Sequence, residues 1–228
     1  MPLVLYIDTA TEHASVCLGR DGETIALRES HEQKNHASFI QPVIKELLSS
    51  ASIDPLTLDA IAVTAGPGSY TGLRVGLASA KGLCYAWKKP LILLNTLEVM
   101  AQALLSEAKD IPGFQNMLFC PMIDARRMEV FTALYDADLQ AIQPASAMIL
   151  NELSFANELS SHKIIFGGSG SIKMKEIVRH ANVILSHAQH TASHMLSLAE
   201  QAFAKAEFAD IAYAEPFYLK EFFTPFKK

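Results

Sequence analysis

Cysteine is scarce in these 228 residues: Cys17, Cys84 and Cys120 are odd in number, widely spaced and never in a Cys-x-x-Cys pair. That usage excludes a disulfide framework and a zinc knuckle, and it fits a reducing compartment. Long apolar runs are missing too. No stretch approaches the ~20 residues of a membrane span, and Met1-Pro2-Leu3-Val4 lacks the basic, apolar, small-residue order of a signal peptide. A cytoplasmic protein with no membrane partner is expected. There is no long basic run and the formal charge is −5, so unaided nucleic-acid binding is not expected. What the chain does have is 50% hydrophobic residues, enough for a sizeable core in one large domain or two small ones.

The most informative stretch is Thr64-Ala65-Gly66-Pro67-Gly68-Ser69-Tyr70-Thr71-Gly72-Leu73-Arg74-Val75-Gly76. Ala60 to Val63 reads as a strand buried on both faces, and Gly66-Pro67-Gly68 forbids its continuation. Ser69 or Thr71 can cap the helix that follows, on which Gly72, Gly76 and Ala80 share one face. Glycine costs a helix interior roughly 1 kcal/mol relative to alanine, so this bare stripe implies a close approach by another backbone. A glycine turn opening a helix also suits a phosphate. The fingerprints for phosphate and nucleophile differ, however: Leu73 stands where a P-loop needs lysine, and Pro67 and Thr71 flank Ser69 where a nucleophile elbow needs glycines.

Elsewhere, Leu3 to Ile7 reads as a buried strand entering Asp8-Thr9-Ala10-Thr11, followed by a hairpin turning at Asp21-Gly22. Phe39, Ile40, Val43, Ile44, Leu47 and Leu48 give an amphipathic helix containing Pro42. The glycine-loop helix ends near Trp87, Leu91 to Leu94 is a strand, and a helix runs from about Thr96 to Ala108. Past Ile111-Pro112-Gly113 the opening pattern returns: Met117 to Ile123 enters Asp124-Ala125-Arg126-Arg127, and Glu129 to Tyr135 turns back. Two strand–Asp–hairpin units imply an α/β protein of duplicated halves, residues 1–110 and 111–228, with a cleft between them. Ile164 to Phe166 then meets Gly167-Gly168-Ser169-Gly170, which a mononucleotide contact or a plain turn explains equally well, before helices over 172–180 and 193–207.

Eight histidines suggest metal. His31 and His36 are five apart, about 140° round a helix, and cannot ligate from one face. His190 and His194 have i, i+4 spacing, but Thr191 and Ser193 between them are capping residues, so a solvated helix start is expected there and no metal. Asp8 and Asp124 are placed either to hold Mg²⁺ through water or, more commonly, to cap hairpin turns.

Four stretches carry a resemblance over nearly the whole chain: Tyr6 to Thr11, Ala65 to Gly76, Ile123 to Val130, and Glu215-Pro216-Phe217-Tyr218-Leu219-Lys220. They resemble the bacterial threonylcarbamoyladenosine biosynthesis family TsaB, formerly YeaZ, of the actin-like ATPase superfamily. The resemblance implies a duplicated actin-like, ribonuclease H-like fold. It also implies a non-catalytic subunit that supports a TsaD-type catalytic subunit, with a TsaE-type ATPase, in transferring a threonylcarbamoyl group to the adenosine beside the tRNA anticodon. The catalytic relative carries His-x-x-x-His where this chain has Thr96 and Met100, and neither residue replaces an imidazole at a metal. No catalytic residue and no metal ligand is therefore expected.

The family's partner contact uses the first-half helices, which implies an interface formed by Phe39, Val43, Leu47, Gly72, Gly76 and Ala80. A homodimer is one of the states open to the chain when it is alone, and tRNA is expected to be met only through the complex. No cofactor is expected in the isolated chain; ATP or ADP, if bound, would sit at the partner interface. The rival reading is a nucleotide-binding actin-like ATPase or phosphotransferase contacting its ligand through Asp8, Thr9, Asp124 and Gly168. A glycoprotease-like peptidase is the lesser rival, because neither a metal pair nor a nucleophile with its base is evident in the sequence. The aromatic segment Tyr213, Phe217, Tyr218, Phe222, Phe223 and Phe226 is expected to dock.

Overall fold

A computed structural model describes residues 2–32 and 35–220. In chain order the first half comprises β1 (Leu3–Asp8), β2 (Ala14–Arg20), β3 (Glu23–Ser30), α1 (His36–Ser50), β4 (Ala60–Gly66), α2 (Tyr70–Trp87), β5 (Leu91–Asn95) and α3 (Thr96–Ala108). The second comprises β6 (Leu118–Asp124), β7 (Glu129–Tyr135), β8 (Ala141–Ile149), α4 (Ala156–Ser161), β9 (Ile164–Gly167), α5 (Ser171–Ile177), β10 (Val183–Leu185) and α6 (Leu196–Ala204).

The strands form two sheets, ordered β3-β2-β1-β4-β5 and β8-β7-β6-β9-β10. Each sheet is an antiparallel three-strand meander extended by two parallel strands, and the second repeats the first strand for strand. This is a duplicated α/β architecture of two mixed-sheet halves. Parallel strands covered on both faces need unbroken apolar sequence, which is why every residue of β1 and of β4 is buried.

α1 and α2 cover one face of the first sheet. Ile40, Ile44, Leu47 and Leu48 of α1 pack with Leu77, Ala80 and Cys84 of α2 over Leu5, Ile7, Ile61 and Val63. On the opposite face lie Val99 of α3 and Leu196, Leu198, Ala199 and Ala202 of α6, against Tyr6, Ala62 and Leu94. α6 therefore returns from the second half to cover the first. α3 reaches the other way, placing Leu97, Met100, Ala101 and Leu104 against Phe119, Ile123 and Ile165 of the second sheet. The sheets divide near residue 110, while the covering helices cross that line.

Beyond α6 the chain lies back on the first half. Ala209 N–H donates to Leu91 O at 2.8 Å, Phe217 N–H donates to Ala65 O at 2.7 Å, and Lys81 Nζ donates to Ala214 O at 3.0 Å. Gly66 has φ +129°, and a Cβ there would collide with the Phe217 carbonyl. Tyr218 stacks at 5.5 Å on Tyr70 and accepts from Arg74 Nε at 3.1 Å. This segment is a strap docked by its backbone, although Tyr213 and Phe217 stay exposed. Phe222, Phe223 and Phe226 lie outside the described residues.

Candidate functional site

The candidate residues fall on two surfaces: the cleft between the halves and the outer face of α1 and α2. Asp8 ends β1 beneath the cleft and is 1% exposed. Its Oδ1 accepts from Ala10 N–H at 3.0 Å and from the Thr64 hydroxyl at 2.8 Å. Its Oδ2 lies 3.2 Å from His190 Nε2, an ion-pair contact rather than a well-aligned hydrogen bond. Burial by itself would push this carboxyl up. The His190 imidazole, the Ala10 amide and the Thr64 hydroxyl outweigh it and hold the carboxyl below the ordinary aspartate range. Thr9 is fully buried and donates its hydroxyl to Gly72 O at 2.8 Å. Both residues are thus spent on internal contacts, and neither lines the cleft.

Above them the cleft encloses about 490 Å³ between Thr11, Glu12 and His13 on one wall and Gly168, Ser169 and His190 on the other. The Thr11 hydroxyl is buried there with no hydrogen-bond partner among the described residues. Gly168 has φ +89°, and a Cβ would strike Met122 O and the Met100 methyl, so glycine is required by packing. Asp124 lies on a neighbouring stretch of the cleft, accepting from Arg126 N–H at 2.6 Å and from Lys173 Nζ at 2.6 Å. The Lys173 ammonium holds its carboxyl below the usual range. Asp8 and Asp124 therefore both cap their turns, the commoner of the two roles open to them. Of the nucleotide-contact residues, the fold brings Asp124 and Gly168 to the cleft walls and withdraws Asp8 and Thr9.

His190 was expected in solvent, yet its side chain is 9% exposed and faces Asp8. Its i, i+4 partner does cap a helical turn: His194 Nδ1 accepts from Thr191 N–H at 3.0 Å while the Thr191 hydroxyl accepts from Ser193 N–H at 3.3 Å. Burial and the nearby His190 lower the affinity of His194 for a proton. His31 Nδ1 meets His13 Nδ1 at 2.6 Å, and His36 Nε2 lies 3.3 Å from Glu12 O. Among the described residues no group of three or more His, Cys, Asp or Glu is placed to hold a metal ion. Burial pushes the thiol of Cys17 up to about 11 and those of Cys84 and Cys120 to about 12, so none is a ready thiolate.

On the second surface the structure corrects the interface expected from sequence. Gly72, Gly76 and Ala80 do mark a close approach, but the neighbour is the chain itself: a Cβ at Gly72 would meet Thr9 O, and one at Gly76 would meet Thr9 Oγ1 with Val63 at 3.5 Å. Ala80 and Leu47 are fully buried in the same core. Phe39 and Val43 remain half-buried, flanked by Val75, Leu83 and Trp87. The exposed residues of α2 are Thr71, Arg74, Ala78, Gly82, Tyr85 and Ala86, and Tyr85 is 82% exposed. A Cβ at Gly82 would meet nothing within 4 Å among the described residues.

A family model described as TsaD, tRNA N6-adenosine threonylcarbamoyltransferase, matches residues 28–223. The tRNA threonylcarbamoyladenosine biosynthesis protein TsaB of Escherichia coli K12 is 30% identical over 224 residues, spanning 95% of this chain and 94% of its own length. The protein of the same name from Bacillus subtilis 168 is 28% identical, spanning 95% and 93%. Among solved structures, YeaZ from Pseudomonas aeruginosa aligns with a TM-score of 0.81 at 26% identity, covering 96% of this chain and 100% of that one.

Proposed function

The chain belongs to the TsaB family of tRNA threonylcarbamoyladenosine biosynthesis proteins, and from that premise we propose that it is the non-catalytic partner of a TsaD-type subunit. The observation that carries this reading is the match along almost the full length of both this chain and its TsaB relative. Three features support the non-catalytic role. Thr96 and Met100 are buried in packing at the head of α3. Asp8 is buried, with its Oδ2 held 3.2 Å from His190 Nε2. No low-pKa thiol is present among the described cysteines. Against the rival ATPase reading, two of its lead residues, Asp8 and Thr9, are buried and do not line the cleft.

The partner face in this reading is the outward side of α1 and α2, from Phe39 and Val43 across Val75 to Ala78, Gly82 and Tyr85. Glycine at a solvent-facing helix position lowers stability with no internal return, and it gives a partner helix room to approach. Two copies meet through the same face when the catalytic subunit is absent. The TsaE-type ATPase and tRNA join through the assembled complex. Depleting the chain in its own organism should abolish threonylcarbamoyladenosine in bulk tRNA, read by mass spectrometry of digested nucleosides. Undiminished modification would overturn the proposal.

A further inference from the structure

The connection from β10 to α6, residues 186–195, bridges the two halves along one wall of the cleft. Its upstream end is fixed to the second half and to α3: Ser186 N–H donates to Phe166 O at 2.8 Å, and the Ser186 hydroxyl donates to the Glu107 carboxylate. Its downstream end is fixed to the first half. Ala192 N–H donates to Ser15 Oγ at 2.8 Å, Ala192 and Met195 are fully buried in the cluster that holds Tyr6 and Cys17, and His190 faces Asp8. Between these anchors His187, Ala188 and Gln189 line the cleft.

The downstream anchor depends on one ring nitrogen. His194 Nδ1 accepts from Thr191 N–H at 3.0 Å, and a ring nitrogen accepts only while it carries no proton. A proton on Nδ1 sets donor against donor and leaves the Thr191 amide without its acceptor. The surrounding groups do not offset this. Asp8 of β1 is already engaged by His190, Ala10 and Thr64. His13 of the β1–β2 turn and His31 beyond β3 meet at Nδ1 and share one proton there, with Glu12 and Glu29 close by, so a second proton puts like charges in contact. Burial keeps Tyr6 of β1 and Cys17 of β2 neutral. Glu200 of α6 accepts from Gly22 N–H, and Glu107 of α3 is held by Ser186. His190 responds in the opposite sense, because a charged imidazole is drawn more strongly to Asp8. Acid therefore unmakes the His194 cap and keeps the His190 contact.

We propose that residues 186–195 form a proton-sensitive latch, in which a proton on His194 Nδ1 releases the turn Ala192–Met195 and the start of α6 from the first sheet while the bonds of Ser186 persist. The cleft wall then loosens from its first-half side. The test is hydrogen-exchange mass spectrometry of the full chain between about pH 7.5 and about pH 5, either side of the ordinary histidine value, corrected for the intrinsic pH dependence of exchange. Peptides covering 191–199 should lose protection by up to about tenfold per pH unit, the limit set by uptake of one proton, while those of β4 and β9 keep theirs. His194→Asn offers an oxygen acceptor at every pH and should make 191–199 insensitive across that range. Imidazole carbon shifts of His194 in the unaltered chain give a reading that needs no variant: the titration midpoint should coincide with that of the opening. The proposal is overturned by protection of 191–199 that does not change with pH, or by a loss shared equally by β4 and β9, which is global unfolding. It is equally overturned by a His194→Asn chain as pH-sensitive as the unaltered one, or by a His194 titration that does not coincide with the opening.

Discussion

Gly76 and Gly82 lie on one helix in opposite environments. A side chain at Gly76 would drive into Thr9, whereas one at Gly82 would enter open space. Gly76→Leu should therefore destabilise the isolated chain by about 3 kcal/mol, the upper end of overpacking costs, while Gly82→Ala should stabilise it by roughly 1 kcal/mol through helix propensity. Urea denaturation of the two variants checks both signs. Arg127 offers a second contrast, because its left-handed backbone costs an arginine about 1–2 kcal/mol. Arg127→Gly should recover about 1 kcal/mol of this in the same assay.

The acid response also belongs to single residues. His194 and His13 have proton affinities depressed in the fold, so the unfolded chain binds their protons more readily. Their contribution is complete above the unfolded histidine value of about 6.5 and declines as pH falls below it. Asp8 is likewise depressed, and its contribution is lost only below the unfolded aspartate value of about 3.9. The melting temperature should therefore fall in two stages on acidification. His194→Asn, which keeps an acceptor for Thr191, should reduce the first stage and spare the second.

At the scale of elements, the strap behaves as an extra layer on β4. The Phe217 amide should exchange as slowly as those of β4, since its bond to Ala65 O is short and Gly66 allows the backbones to meet. Gly66→Ala puts a Cβ against the Phe217 carbonyl and should release the strap, so that peptides covering 209–220 lose protection in hydrogen-exchange mass spectrometry before those of β1. Rapid exchange of 209–220 in the unaltered chain would contradict a docked strap.

α1, α2 and α3 were legible in the sequence because their apolar spacing is strong, and the bounds Thr96–Ala108 are those expected. Ser69 does cap α2. β8 escaped notice because an edge strand with Pro144 and no deeply buried residue lacks a clean alternation. α4 is only six residues long and β10 three, too short for either period to show. Periodicity also showed that Gly72, Gly76 and Ala80 share a face. It could not show which way that face points, and it points inward.

For the whole molecule, the repeated strand–Asp–hairpin pattern was enough to expose the duplication, and the two sheets match in order. The exchange of α3 and α6 between halves was not readable, because both helices are apolar around much of their circumference. The Asp8–His190 contact joins residues from opposite ends of the chain. A local reading of the capping residues Thr191 and Ser193 placed His190 in solvent, and only the return of α6 onto the first sheet buries it.

The central claim is that the chain works by presenting the outer face of α1 and α2 to a catalytic subunit. The most direct measurement is sedimentation of the purified chain with the tRNA N6-adenosine threonylcarbamoyltransferase of its own organism, comparing the unaltered protein with Gly82→Arg. The expected result is a stable heterodimer with the unaltered chain and none with Gly82→Arg, at unchanged melting temperature of the variant alone. A heterodimer that forms equally well with Gly82→Arg, or no heterodimer with the unaltered chain, would contradict the account.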